Sequence, residues 1–124
     1  MRYRDNDAAR RTAERRRRED EAPRLKAEVP SLSRLDLEMS ERRGSVTVST
    51  HVKRVVVASA PALFEIACSD RSCKEGGHDL TYTIMRALRS QETRFEGEDE
   101  CRGRVGTAPC GCVMRFVATA VFEG

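Results

Sequence analysis

Tryptophan is absent from this 124-residue chain, and its aromatic residues amount to Phe64, Phe95, Phe116, Phe122, Tyr3 and Tyr82. With so few rings the core must be built from aliphatic side chains, and a metal staple would help such a core. Also missing is any apolar run approaching the ~18 to 20 residues that a membrane-crossing helix needs. The N-terminus lacks the apolar stretch of a secretory signal, so an intracellular, cytoplasmic protein is expected. A mitochondrial presequence is Arg-rich but poor in acids, and Asp5, Asp7, Glu14, Glu19, Asp20 and Glu21 break that rule. Histidine is limited to His51 and His78. No third group is evident to orient either one, so a Cys-His hydrolase or transferase is not expected and no catalytic residue is assigned. No internal repeat is visible, and no small-molecule substrate is indicated.

What is present suits one domain with a modest core, at 39% apolar residues. The net charge of +3 is unevenly placed: before Pro30 there are ten Lys or Arg against seven Asp or Glu, and after it thirteen against thirteen. Residues 1–30 therefore read as a basic arm and linker, and residues 31–124 as a small domain. The arm carries Arg10, Arg11, Arg15, Arg16, Arg17 and Arg18. Its composition favours helix, yet it has no apolar stripe to dock by, which predicts an exposed helix or a disordered arm. Arginine grips phosphate through a planar fork, so the arm points to nucleic acid, RNA or a ribonucleoprotein ahead of DNA. Only Tyr3 offers a ring there for base stacking. The competing readings are a protein-partner arm and a solvated helix laced by pairs such as Glu14 with Arg18, four residues apart.

From Arg34 the pattern turns to alternation, with Leu35, Leu37 and Met39 against Asp36, Glu38 and Ser40, which predicts a strand with one buried face. Gly44-Ser45 reads as a turn. VTVSTHVKRVVVAS reads as one long strand or two, and ALFEIAC as a short strand delivering Cys68. A helix over about 79–90 is expected, with Asp79 as N-cap and Leu80, Ile84, Ala87 and Leu88 as its apolar stripe. Residues 93–101 suggest a polar edge strand, and the nearly continuous apolar run 112–122 a central one. The sum is an α+β fold, a mostly antiparallel sheet of about four to five strands with one packed helix. Leu25 and Val29 are anchors for the stretch between Pro23 and Pro30.

The five cysteines form an odd set, which argues against a disulfide framework in a reducing compartment. Cys68 and Cys73 precede the expected helix, and Cys101, Cys110 and Cys112 follow it. Zinc takes four such ligands in a tetrahedron, usually as two pairs from short loops. Cys68, Cys73, Cys101 and Cys110 are the expected ligand set for Zn2+, with His78 and Cys112 as substitutes. Gly111 permits the tight backbone that a ligand turn needs. Each cysteine is also a small apolar residue suited to a core, Cys112 above all. Cys110-Gly111-Cys112 offers a redox alternative, with Arg102, Arg104 and Arg115 near in sequence, although a C-x-C ring is strained. The acids of residues 97–100 read as a solvated face before a hard-metal site.

The function expected from these features is a small non-catalytic zinc-binding protein that binds RNA or a ribonucleoprotein through its arm. An adaptor using a sheet edge or the acidic loop at 97–100 is the first alternative, and a thiol redox protein using Cys110 and Cys112 the second.

Overall fold

A computed structural model describes residues 2–70, 72, 73 and 76–123, with side chains from residue 9 onward. The side chains of Tyr3, Asp5 and Asp7 thus lie outside the described residues, as does Arg71 of the loop between Cys68 and Cys73. The elements in chain order are α1 (Arg2–Glu21), α2 (Leu25–Glu28), β1 (Leu32–Arg43), β2 (Val46–Val55), β3 (Glu65–Ile66), β4 (His78–Asp79), α3 (Thr81–Arg89), β5 (Arg94–Glu100), β6 (Arg104–Val105), β7 (Ala108–Pro109) and β8 (Cys112–Phe122). The architecture is α+β. Its main sheet has four strands in the order β2-β1-β8-β5, every neighbouring pair antiparallel.

The alternation along β1 sets this sheet. Leu35, Leu37 and Met39 are buried on one face, opposite Ala120, Ala118 and Phe116 of β8. Pairing leucine with alanine across the strands leaves room above them for helix α3, whose Ile84 and Leu88 are fully buried. Phe95 of β5 meets Phe116 edge to face, with ring centroids 6.2 Å apart. On the other face Arg34 and Arg54 both pair with Asp36, and Arg42 pairs with Glu98. These exposed pairs add little stability. Two residues, Gly44 and Ser45, link Arg43 to its partner Val46 in the expected turn.

Several elements differ from the sequence-based expectation. Helix α3 starts at Thr81 and not at Asp79, because residues 78–79 pair with β3. Asp79 still accepts the Thr81 N–H at 3.0 Å, a local bond just ahead of the helix. The stretch from Ala62 to Cys68 supplies only the two residues of β3. Backbone groups just before it bond elsewhere: Leu25 N–H donates to Ala60 O at 2.9 Å, and Ala62 N–H donates to Pro23 O at 2.8 Å. Those bonds seat α2, and both expected anchors, Leu25 and Val29, are buried in the main core. Strand β8 lies inside the sheet, yet one face of it stays exposed at Arg115 and Thr119.

The arm is helical as α1, and it meets the body near its C-terminal end. Arg18 gives both nitrogens of its fork to the Glu65 carboxylate of β3, at 2.8 and 2.9 Å. The expected partner Glu14 contributes only longer-range attraction to that guanidinium. Arg24 closes the helix end by donating to the carbonyls of Glu19 and Ala22.

Candidate metal centre

Two short pairings bring four sulfurs to one point. Strands β3 and β4 close the base of the loop that carries Cys68 and Cys73, with Ile66 opposite His78. Within that loop Cys73 N–H donates to Asp70 O at 3.1 Å, and Asp70 accepts the Ser72 N–H at 2.9 Å. The small hairpin of β6 and β7 does the same for the other half, with Cys110 N–H donating to Gly103 O at 2.9 Å. Cys101 N–H then donates to Cys112 O at 2.8 Å, tying the hairpin to the head of β8.

The result is a cluster in which the Sγ atoms of Cys68, Cys73, Cys101 and Cys110 all lie within 4.8 Å of one another. Cys68 Sγ is 3.7 Å from Cys110 Sγ, and Cys73 Sγ is 3.6 Å from Cys101 Sγ. A tetrahedron of four sulfurs with metal bonds of about 2.3 Å has edges of about 3.8 Å, so the spacing suits a thiolate-bound metal. Four close cysteines of this kind could hold a metal ion. The second short contact set, Glu41 with Cys68 and Cys112, shares one of these sulfurs.

Protonation chemistry fits the same reading. Burial pushes the thiol of Cys68 up, and it pushes that of Cys73 up to about 12. Cys112 is also raised by burial, although its contact with Arg43 opposes the shift. Cys110 goes the other way, because bonds from the Cys112 backbone and from neighbouring thiols outweigh its burial. A divalent cation at the centre would reverse the cost of ionising such buried thiols. Around them sit donors for thiolate: Gly77 N–H and Gly103 N–H reach Cys101 Sγ at 3.3 and 3.4 Å. Arg43 reaches Cys110 Sγ at 3.5 Å and Cys112 Sγ at 3.4 Å, and pairs closely with Asp70. Four thiolates around a divalent ion would carry a net charge of −2, which these donors would offset.

The two substitutes sit differently. His78 is outside the four-sulfur group and is buried. Its Nε2 is 2.9 Å from Glu41 Oε2 and its Nδ1 is 3.0 Å from Asp99 O, so both ring nitrogens face acceptors. Cys112 is 1% exposed and faces the cluster from the core side of β8. Gly111, at φ +80°, is what lets Cys110 and Cys112 take separate places across one residue. His51 is exposed on β2. In the arm, Arg11, Arg16 and Arg17 are exposed, Arg15 pairs with Glu19, and Arg18 is held by Glu65.

Glu41 and Arg43 of β1 belong to no ligand motif. Glu41 continues the buried phase of Leu35, Leu37 and Met39, and an acid on that face was a readable signal. It is 1% exposed and accepts from the Ser69 N–H at 3.2 Å as well as facing His78, so it braces the Cys68 loop against β1. Burial raises its carboxyl, but the bonds from Ser69 and His78 prevail and hold it below the usual carboxylate range. A depressed folded value means that this stabilisation is full above the unfolded pKa and is lost as pH falls through the folded one. Glu41→Ala strands the buried ring and the Ser69 N–H, so it should cost about 3 kcal/mol in urea unfolding. A midpoint equal to the parent's would show that the brace carries no stability.

A comparison with known proteins found no matching family model and no significant match among curated proteins or solved structures.

Proposed function

We propose that this chain is a small non-catalytic zinc protein that binds RNA or a ribonucleoprotein through its arginine-rich helix. The four-sulfur cluster, with all sulfurs within 4.8 Å and two edges of 3.7 and 3.6 Å, is the observation that carries the zinc part. All-thiolate tetrahedral sites are chosen by zinc and by iron, and zinc needs no redox partner to serve as a staple. Metal analysis of protein purified from a metal-replete culture decides between them: one zinc per chain and a colourless protein are expected. One iron per chain with visible charge-transfer absorption would replace zinc.

The arm part rests on charge placement. Helix α1 has no apolar stripe and exposes Arg11, Arg16 and Arg17 along its length, while Arg18 ties it to the body. Phosphate contacts of this type are sequence-tolerant and salt-sensitive. Three of them predict a loss of about tenfold in affinity for a short single-stranded RNA between 50 and 150 mM salt, read by fluorescence anisotropy. Reversing all three to Glu should abolish binding, with the melting temperature unchanged. Salt-independent binding, or full binding by the reversed variant, would overturn the RNA reading. The adaptor reading has its own support in β2, an edge strand that leaves Val46, Val48 and Val52 exposed. A protein partner adding a strand there would stay bound at salt that strips phosphate contacts.

A further inference from the structure

Among the five cysteines, Cys68 is the one that is only half-buried, and Cys112 is the one that stands outside the ligand set while touching it. Cys112 Sγ lies within 4.8 Å of Cys68 Sγ and is held there by Arg43 at 3.4 Å. Core packing explains neither an arginine on this thiol nor its place beside the half-buried ligand. From this juxtaposition we propose that Cys68 is a site of oxidation by hydroperoxides and that Cys112 is its resolving thiol, the resulting disulfide ejecting the metal. The proposal rests on the metal-centre reading.

The chemistry closes without a further reagent. The Cys68 thiolate attacks one oxygen of the peroxide, the O–O bond breaks, and hydroxide leaves to be protonated by solvent. The Cys112 thiol then attacks the Cys68 sulfur, its S–S bond forms as the S–O bond breaks, and water leaves with the thiol proton. Two thiols lose two electrons in all, and one peroxide becomes two waters. Removing Cys68 leaves three sulfurs on the metal, an incomplete set for a structural site. Cys110 is the rival for the pairing, being 3.7 Å from Cys68. It is itself a ligand, however, and its sulfur is occupied while the metal stays. A Cys110–Cys112 bond would close a strained ring across Gly111, so Cys112 is better placed to join the other loop.

The test uses the full-length protein as purified, treated with hydrogen peroxide while a colorimetric chelator reports free zinc, and then mapped by non-reducing peptide mass spectrometry. The metal count before treatment judges the metal-centre reading separately. The expected result is one equivalent of zinc released together with a Cys68–Cys112 cross-link. Thiol reductant should reverse the bond and allow zinc to rebind. Cys112→Ser should keep its zinc before treatment but accumulate sulfenic acid at Cys68, trapped by dimedone at least tenfold more than in the parent. A dominant Cys68–Cys110, Cys73–Cys101 or Cys110–Cys112 bond in the parent overturns the proposal, whether or not Cys112→Ser folds. If the protein carries no metal as purified, the metal-centre reading fails, and the same map still decides the pairing.

Discussion

If the four-sulfur cluster holds a metal as proposed, stripping it with a strong chelator should lower the melting temperature of the chain by more than about 10 °C. A structural ion contributes several kcal/mol of folding free energy, and for a domain of this size each kcal/mol is worth roughly 3 to 5 °C. The loss should be uneven. The sulfurs form a cluster of their own with Val105, distinct from the apolar core built on β1, β8 and α3. Without an ion, the loop of Cys68 and Cys73 and the hairpin of β6 and β7 lose their common anchor, while the main sheet keeps its buried leucines. Amide exchange should therefore rise first at residues 68–80 and 101–112, and far-ultraviolet circular dichroism should change little before the melt. A chelated protein with an unchanged melt would show that the cluster is a set of packed thiols and not a metal staple. Acid should act in the same direction. Thiols pushed up by burial, Cys73 to about 12, must give up protons to bind the metal. Metal affinity thus rises with pH, and acidification should weaken it by more than about tenfold per pH unit.

The second large effect is expected from two glycines that no ligand motif names. A Cβ at Gly103 would overlap Cys73 Sγ and come within 2.7 Å of Gly76 N, and one at Gly76 would overlap Cys73 Sγ and lie 2.7 Å from Cys101 Sγ. The cluster is lined there by backbone, and no side chain fits between backbone and sulfur. Gly103→Ala and Gly76→Ala should each push a sulfur off its corner and weaken metal binding by at least about a hundredfold, the scale of about 3 kcal/mol for a forced displacement in a packed site. Competition with a zinc-selective dye reads this directly. Gly106→Ala is the control, since it lies in the same hairpin with open space around it and carries only the strain of φ +64°. Equal affinity in the two test variants and the control would show that the loops yield and that the close approach has no consequence.

Much of the scaffold was readable in advance, because period and turn chemistry are local. The alternation at Leu35, Leu37 and Met39, the turn at Gly44 and the apolar stripe of Ile84 and Leu88 each announce an element within a few residues. The start of α3 and the two-residue β3 were less readable. There the outcome depended on residues 78–79 finding β3 and on the segment before it bonding to Pro23 and Leu25, partners far away in sequence.

By itself the sequence determined the kind of chemistry available: sulfurs in two groups on either side of a helix, a basic arm without an apolar stripe, and an α+β alternation. It could also name the four cysteines now gathered within 4.8 Å, because each adjoins a polar or glycine-bearing turn that core packing would not require. Only the tertiary structure decided that His78 turns to Glu41 and away from the sulfurs, that Arg43 reaches two of them, and that Cys112 waits beside Cys68. The physical reason is distance along the chain. Residues 41, 43, 78 and 112 meet through the register of β1 against β8 and of β3 against β4, and a register is chosen by the burial of whole faces and not by any short motif.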